Sequence, residues 1–474
     1  MLADGVKYGL LIGIIHTSIA GIGQTWPDHR WDRWVFDSGY EVDFSTGQPI
    51  ALPSGYLGTS YAHAAYSDPV TGVYRFRTDG QHVFNALGDT MANGASISLV
   101  PAWQTFIISI GSDQHLIFSR TTGAAQELRY SHVDMNANSG LGTVTAIKNI
   151  LLATDVGSMA AFSSTLSDST WLVYTRSYTP EIVGFPITST GVGAEYIAYQ
   201  GSASFSPSQI GGKNDRTNER IGFPGPMNTI QIFSCDRASG LLTDHVLLTP
   251  SFEPRSLEFS PNGDLLYVNL TAPQIPGSPF IEQFNLAAPD SMSIVASKTT
   301  VAVMQLGQGG VGFPLQLAPD GTILFHSIDY TSEPDSARAS RIHYPDVVGL
   351  GCTVQPDAIY VGIAPVPEFG VNAMPSIWWP AIAPDVSVAE NGLSPTSLEL
   401  SPNPTDGLIQ ISVHGPALPD RWVLHDATGR VACEFGDIGA AMGSLDLSPV
   451  AAGLYTLCAW NKGQRLSSAR VARQ

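Results

Sequence analysis

The chain has 474 residues, more than one hydrophobic core usually serves, so two folded units are expected. Hydrophobic residues make up 43% and charged residues 14%, with 47 Gly and 33 Pro, which favours short strands and tight turns and excludes a disordered chain. The net charge of −18 contains no run of Lys or Arg. Nucleic acid and anionic membranes are therefore poor candidate partners.

The first residues form a separate segment. Lys7 precedes an apolar run over 10–15, and small residues continue through Gly23. This run is shorter than the about 20 apolar residues that span a bilayer, and its pattern is typical of a signal peptide. We expect residues 1–23 to be removed between Gly23 and Gln24; a buried first strand is the alternative. No later apolar stretch reaches membrane length, so no transmembrane span is expected in the mature chain.

Residues 24–380 read as one all-β region without a long helix. β-branched and aromatic runs bounded by turn residues predict strands. These runs cover 35–44, 73–77, 105–110, 171–175, 229–233, 265–268 and 323–325.

One hairpin pattern recurs in this region. An alternating strand, then Pro, then Asn or Asp, then Gly occurs at 257–263 and 315–321, with a fainter copy at 203–207. Pro presets φ, and Gly accepts the positive φ that the turn requires. Phe205, Phe259 and Leu317 are 54 and 58 residues apart. A period near 50 residues predicts a β-propeller of about seven blades, each with four strands. A pair of large sandwiches and a β-helix are the alternatives. A closed ring would bring the 31–44 region beside the 359–369 region.

The same region resembles a group of exported Bacteroidetes proteins. The segments 34–36, 42–49, 76–80 and 130–135 follow the order of that group's Trp-Tyr-Phe-Gly opening, Asp-Phe-x-x-Gly turn and Phe-Tyr-Thr-Asp-Gly hairpin. Val35 and Asp37 depart from the usual aromatic residue and Gly. The resemblance covers most of 31–375. It implies a propeller-like fold and export, and it implies no particular activity.

The last residues carry sharper landmarks after a Pro- and Ser-containing linker at 381–396. The landmarks are Pro402-Asn403-Pro404 with Gly407, then Asp426 with Gly429-Arg430, then Gly453 and Tyr455. They resemble the type A sorting domain of the type IX secretion system. The resemblance implies a small β-sandwich over 397–474 that the secretion machinery reads and then removes or uses for surface attachment. A fibronectin-like accessory module is the alternative.

Motifs of known chemistry are scarce. GxSxG, HExxH and P-loop patterns do not occur. Residues 307–312 match GxGxxG, but Pro314 and a predicted strand follow where a dinucleotide site needs a helix, so an inter-blade loop is expected. The eleven His lack metal-ligand spacing. We therefore predict no cofactor, no metal and no catalytic residue.

Other candidate residues have simpler structural uses. Four acidic residues beside Gly or Pro are expected in turns, namely Asp43, Asp68, Asp79 and Asp320. Four tryptophans are expected to pack in the core, with sugar stacking as the alternative, namely Trp31, Trp34, Trp378 and Trp379. The cysteines contain no CxxC pair; Cys433 and Cys458 lie in one unit, and pairing and free thiols both stay open.

These features predict a secreted or cell-surface protein that binds or adheres to an extracellular ligand, either a glycan or a protein. The alternative is a propeller hydrolase or lyase that acts on extracellular polysaccharide. An acidic pair with a His in hydrogen-bonding reach would favour the enzyme. An exposed apolar patch without such a set would favour binding.

Overall fold

The computed structural model describes residues 28–36, 38–57, 63–165, 169–202, 204–205, 211–271, 279–303, 314–329, 336–363, 397–414, 418–425, 431–435, 442–461 and 464–473. The chain divides into two compact units, residues 1–382 and 383–474. The expected signal segment, its cleavage point and the linker at 381–396 lie outside the described residues.

The described part of the first unit forms seven antiparallel sheets, each built from consecutive strands. Sheet 1 contains β1 (Arg33–Val35), β2 (Ser38–Asp43) and β3 (Ile50–Leu57). Sheet 2 contains β4 (Ala64–Ser67), β5 (Tyr74–Thr78) and β6 (Val83–Asn85). Sheet 3 contains β7 (Ala102–Ser109), β8 (Gln114–Thr121), β9 (Leu128–Asp134), β10 (Thr143–Val144) and β11 (Ile150–Ala153). Sheet 4 contains β12 (Val156–Ser163), β13 (Thr170–Arg176), β14 (Glu181–Thr188), β15 (Gly191–Val192) and β16 (Tyr196–Gln200).

The next three sheets each have four strands. Sheet 5 contains β17 (Lys213–Asn214), β18 (Arg220–Pro224), β19 (Ile230–Cys235) and β20 (Leu242–Leu248). Sheet 6 contains β21 (Glu253–Phe259), β22 (Leu265–Thr271), β23 (Pro279–Asn285) and β24 (Thr299–Val303). Sheet 7 contains β25 (Leu315–Leu317), β26 (Ile323–Asp329), β27 (Ser336–Ile342) and β28 (Val354–Ile363). The all-β prediction is confirmed; helix is confined, within the described residues, to α1 (Ser291–Ala296) and two 3-10 turns, Asn138–Gly140 and Gly349–Cys352. No described helix has the length and apolar character needed to cross a bilayer.

The two clear hairpin predictions are confirmed. In sheet 6 the Ser260 N–H bonds to the Leu265 carbonyl at 2.8 Å, and Gly263 takes φ +77°. In sheet 7 the Ala318 N–H bonds to the Thr322 carbonyl at 2.8 Å, and Gly321 takes φ +80°. A side chain would be strained at these positive φ values, which explains Gly at the fourth position of the pattern.

One other strand prediction is wrong in detail. The single strand expected at 35–44 is two strands, β1 and β2, and the Phe36 N–H bonds to the Tyr40 carbonyl at 2.9 Å across a tight reversal.

The fainter copy at 203–207 lies mostly outside the described residues. Phe205 makes one isolated parallel bridge to Ser177, and residues 203 and 206–210 lie outside the described part of the chain.

The sheets touch in chain order, and the last touches the first. β1 lies beside β4, β4 beside β7, β12 beside β17, β17 beside β21, and β21 beside β25. β28 lies beside β2, where the rings of Tyr40 and Tyr360 are 5.3 Å apart. The expected meeting of the two ends is thus observed at these two residues, and the arrangement of the first unit is propeller-like.

Polar side chains join the first strands of neighbouring sheets. The Gln104 amide on β7 donates to the Met159 carbonyl on β12 at 2.7 Å and accepts from the Met159 N–H at 3.2 Å. The Ser256 hydroxyl and the Glu258 carboxylate on β21 accept from two β25 backbone N–H groups, at 2.9 and 3.0 Å. Glu258 also pairs with Lys213 of β17 at 3.0 Å. These hydrogen bonds satisfy backbone groups that the ladders of the individual sheets leave unpaired.

The sheet faces bury the aromatic residues. Trp31 and Trp34 are 2% and 0% exposed, and Trp34 packs 5.0 Å from the Phe44 ring. Their expected use in the core is confirmed, while Trp378 and Trp379 lie outside the described residues. Burial of large apolar side chains between sheets contributes about 1.5–3 kcal/mol each.

The second unit contains two antiparallel sheets. A three-stranded sheet has β29 (Ser397–Ser401), β30 (Leu408–His414) and β33 (Met442–Asp446). A four-stranded sheet has the order β32 (Val431–Phe435), β31 (Arg421–His425), β34 (Gly453–Asn461) and β35 (Gln464–Arg473). Both sheets contribute to one apolar cluster, which includes Ile409, Trp422 and Leu457.

The Pro-Asn-Pro segment covers the outer edge of β35. The Asn403 amide donates to the Arg470 carbonyl at 2.8 Å and accepts from the Ala472 N–H at 2.9 Å. The adjoining Gly407 carbonyl accepts the Leu447 N–H at 2.7 Å, and the Tyr455 hydroxyl donates to the Ala451 carbonyl at 2.8 Å. Asp426, Gly429 and Arg430 lie outside the described residues, although the strands that flank them pair as expected.

Gly453 begins β34, and its φ lies outside the positive range that favours glycine. A Cβ there would instead lie 3.3 Å from the Tyr455 ring.

The register separates the two cysteines of this unit. Cys433 lies opposite Leu424, and Cys458 lies opposite Val423. Because neighbouring residues of a strand point to opposite faces, the two thiols lie on opposite faces with β31 between their strands. Both are free, which settles the open question against a disulfide.

Glu258→Gln should lower the free energy of unfolding by about 2–4 kcal/mol, because it leaves the buried end of Lys213 without its counter-charge. Glu258 is 1% and Lys213 14% exposed at the side chain. The matched control is Glu253→Gln on the same strand, where Glu253 and Arg255 are 54% and 37% exposed and the expected change is within about 0.5 kcal/mol. Urea unfolding measures both; equal small effects would contradict this role.

Candidate functional site

Charged residues concentrate in the segment 28–33, which lies at the junction of sheets 1 and 2. The His29 N–H bonds to the Pro69 carbonyl at 3.0 Å, which fixes the segment beside the end of β4. His29 Nδ1 lies 2.7 Å from the Asp32 carboxylate, and Arg30 pairs with Asp28 at 3.0 Å. Burial raises the pKa of Asp32 although the His29 hydrogen bond opposes this shift. This places an oriented imidazole, 35% exposed, beside one buried carboxylate.

The turn of sheet 5 brings further charge to this region. Burial lowers the pKa of Arg216 to about 8, and the attraction of Asp28 opposes that shift. The adjacent Asp215 carboxyl is 1% exposed, and burial raises its pKa to about 6 against hydrogen bonds from the Arg220 and Glu219 N–H groups and the Thr217 hydroxyl. Arg220 in turn donates to the Gly263 carbonyl of sheet 6 at 2.7 Å.

An acidic pair lies on one face of β2. Arg33 binds Glu41 at 3.1 Å and Asp43 at 2.8 Å, and its guanidinium lies 5.6 Å from the centre of the Tyr74 ring. Burial raises the pKa of Glu41, whereas hydrogen bonds from Ser45 and Arg33 lower the pKa of Asp43 against the effect of burial. Oppositely shifted carboxyl groups can perform acid–base chemistry. Here one guanidinium binds both carboxylates within sheet 1, and its contact with the Tyr74 ring joins sheet 1 to sheet 2.

A third set of polar groups is enclosed in the core. The Ser109 hydroxyl lies 3.1 Å from the Tyr66 hydroxyl and 3.0 Å from His115 Nδ1. Burial lowers the pKa of His115 to about 3, so the ring is neutral near pH 7 and a weak base. This set is best explained as buried packing between sheets 2 and 3.

Among the described residues, no hydrogen bond joins the His29 imidazole to the pair formed by Glu41 and Asp43. His29 bonds to Asp32, while the pair formed by Glu41 and Asp43 is bound by Arg33. Sequence analysis assigned none of these residues to a functional site. It predicted Asp43 as a turn residue, and the hydrogen bond from the Ser45 N–H to its carboxylate at 2.8 Å confirms that role. Asp68, Asp79 and Asp320 also accept local N–H groups, as expected of turn residues.

An exposed apolar surface lies on the loop 343–353 between β27 and β28. Tyr344, Val347, Val348 and Leu350 are 57%, 44%, 61% and 74% exposed. Val303 at the end of β24 is 55% exposed, and β24 lies beside the 3-10 turn of this loop. Single exposed apolar residues are common, but a group of this size on one short segment is typical of an interaction surface.

Buried side chains of sheet 6 hold the backbone of this loop. The Gln283 amide donates to the Val347 carbonyl at 3.0 Å and accepts from the Gly349 N–H at 2.7 Å. The Tyr267 hydroxyl, itself bonded to Gln283 at 2.7 Å, donates to the Pro345 carbonyl at 2.9 Å. Gln283 is 2% and Tyr267 0% exposed. The loop is thus fixed before any ligand arrives, which reduces the entropy cost of binding.

Sequence reasoning missed this loop. The available signal was a group of aliphatic residues, Val347, Val348 and Leu350, among Pro, Asp and Gly, where turns are usually polar. The partners Gln283 and Tyr267 could not be foreseen because they are more than 60 residues away along the chain. The GxGxxG match at 307–312 lies outside the described residues, whereas the strand that argued against a dinucleotide site is present as β25.

Comparisons with known proteins give a likeness of fold only. No family model matches the sequence, and none of the curated proteins matches it either. A quinonprotein alcohol dehydrogenase-like protein from Bacteroides thetaiotaomicron is similar, with a TM-score of 0.39, 12% identity, and coverage of 71% of this chain and 78% of that one. The β-propeller domain of Cps50 (Swd1) from Myceliophteria thermophila has a TM-score of 0.37, 8% identity, and coverage of 63% and 93%.

Hydrazine synthase from Kuenenia stuttgartiensis has a TM-score of 0.34, 13% identity, and coverage of 54% of this chain and 67% of that one. At these identities and scores the matches assign no activity to this chain.

The parent chain should lose stability as pH rises from about 4 to 7, and Asp215→Asn should remove this loss. The Asp215 carboxyl holds its proton more tightly in the folded chain, where its pKa is about 6, than in the unfolded chain, where it is 3.8. The protonated carboxyl therefore contributes its full stabilisation below pH 3.8, and at most about 3 kcal/mol of unfolding free energy is lost as pH rises through 6. Asn keeps the acceptor that the Glu219 and Arg220 N–H groups use.

Urea unfolding at about pH 4.5 and 7 measures this difference. Asp236→Asn is the control, because hydrogen bonds lower rather than raise the pKa of that exposed carboxyl. An unchanged pH dependence in Asp215→Asn would contradict the assignment.

Proposed function

We propose that the protein is an exported binding or adhesion protein whose first unit is a seven-bladed β-propeller. The blade number is supported by the seven described sheets, which touch in chain order, and by the contact of Tyr40 with Tyr360. A ring of blades presents its loops on rigid strands, which suits recognition.

The observation that carries the binding function is the exposed apolar surface of the loop 343–353. Leu350 and Val348 are 74% and 61% exposed while their own backbone is held by buried side chains. Polar residues at these positions would serve a closed ring equally well, because side chains this exposed bury little apolar area on folding. The ordered exposure is explained if a ligand covers these side chains.

The second unit serves, in this proposal, as a sorting β-sandwich for a type IX secretion system, after a signal peptide has directed the chain across the inner membrane. The sequence landmarks support this assignment through their resemblance to sorting domains of Bacteroidetes proteins. Asn403 gives one landmark a physical use, because its amide covers the edge of β35. The location that follows is the cell surface or the medium.

Val348→Ser combined with Leu350→Ser should weaken ligand binding without unfolding the protein. Loss of two aliphatic contacts that the ligand would bury corresponds to a roughly tenfold to hundredfold weaker affinity. The labelled full chain would be applied to a glycan array and to immobilised fibronectin, collagen and mucin. Met227→Ser is the matched control, since Met227 is 91% exposed in the turn between β18 and β19.

Equal binding by the parent and the double variant would overturn the assignment of the loop. Cleavage of an arrayed polysaccharide that His29→Gln abolishes would favour the alternative enzyme instead.

Removal of residues 397–474 should leave the first unit folded and stop its export at the periplasm. The two units are separately compact and each has its own apolar cluster, so the first unit keeps its core when the second is removed. Fractionation of cells that express the tagged truncated chain, beside the tagged full chain, measures the location. Surface display of the truncated chain would rule out the sorting assignment, and loss of its urea transition would show that the units fold together.

A further inference from the structure

We infer that the partner of the loop 343–353 is a protein surface that presents aliphatic side chains flanked by Lys or Arg, and not a glycan. This inference rests on the proposed binding function and specifies the ligand class. It follows from the chemistry of the exposed side chains, from the charge beside them and from the way the loop backbone is already bonded.

The exposed side chains are those that bury against other apolar side chains. Val347, Val348 and Leu350, with Val303 beside them, offer only aliphatic surface. Sugars are bound through aromatic faces and through polar groups that meet their hydroxyls. The segment 343–353 has two rings, His343 and Tyr344, with centroids 6.1 Å apart, and Asp346 is its one formally charged residue. Aliphatic surface of this kind gains free energy mainly by removing a partner's apolar surface from water.

The backbone of the loop adds to this argument. Some of its backbone N–H and C=O groups, which could otherwise hydrogen-bond to sugar hydroxyls, are already bonded inside the protein. Gln283 binds the Val347 carbonyl and the Gly349 N–H, and Tyr267 binds the Pro345 carbonyl. Within the loop the Tyr344 N–H bonds to the Cys352 carbonyl at 2.9 Å. A hydroxyl-rich ligand would therefore have to give up water without full replacement of its hydrogen bonds.

The charge beside the aliphatic surface is negative. Asp346 is exposed, and its carboxylate accepts the Asn262 N–H at 3.1 Å. Burial raises the pKa of this carboxyl, and the nearby negative charge of Asp264 raises it further. Two like charges of this kind, on a chain of net charge −18, favour a partner that carries Lys or Arg at the rim.

Two synthetic peptides of equal length test this inference, one built from Leu and Lys and the other from Leu and Glu. Fluorescence anisotropy with the full chain measures their affinity at about 0.15 M salt. The Leu–Lys peptide should bind, and the Leu–Glu peptide should bind at least about tenfold more weakly. Val348→Ser with Leu350→Ser should weaken the Leu–Lys peptide about tenfold or more, and Asp346→Asn about threefold. Met227→Ser should leave it unchanged.

The outcomes separate this inference from the proposed function. Equal affinity of the Leu–Lys peptide for the parent and the double variant would overturn the inference, as would equal affinity for the two peptides. An oligosaccharide whose binding is lost in the double variant would also overturn it, while the proposed binding function of the loop would stand. If the proposed binding function is wrong, variants of the loop will change the affinity for none of the probes. Urea unfolding of each variant confirms that the fold is retained.

Discussion

The hydrogen-bonding of the first strand of each sheet is the constraint on which the first unit depends. Such a strand is an edge, and its unpaired N–H and C=O groups cost free energy when they are buried. Here a neighbouring sheet supplies missing partners through side chains, as Gln104 does for both backbone groups of Met159. Glu258 performs the same task for Leu317, and Asn218 for Ser163. Each of these polar side chains is paired with one neighbouring edge, which favours the observed order of the sheets.

The same device recurs where the chain leaves the sheets. Gln283 holds the loop 343–353 by one carbonyl and one N–H, just as Gln104 holds Met159. In the second unit Asn403 holds the edge of β35 by a carbonyl and an N–H. A primary amide is suited to this role, since it carries a donor and an acceptor at the spacing of an extended backbone and no charge that must be desolvated.

Local chemistry explains which parts of the fold could be predicted. The hairpins at Gly263 and Gly321 depend on Pro, Asn or Asp, and Gly within a few residues, and the sequence pattern identified both. The break between β1 and β2 was missed, although Gly39 lies within the reversal between Phe36 and Tyr40 and takes φ +83°. The amide contacts join residues that are about 50 residues or more apart, as Gln104 and Met159 are. No local pattern reports such pairs, because Gln in a strand reads only as a polar residue.

The use of polar groups inside the fold also determines what remains for a ligand. Carbonyl and N–H groups of the loop 343–353 are bonded by Gln283 and Tyr267, so its aliphatic side chains are left as the exposed chemistry. The charged segment 28–33 shows the converse, since Asp28, Asp32 and Arg33 each bond within the protein. In the proposed function, recognition rests on apolar contact beside an acidic rim. Contact of that kind discriminates ligands by shape and by the sign of their charge.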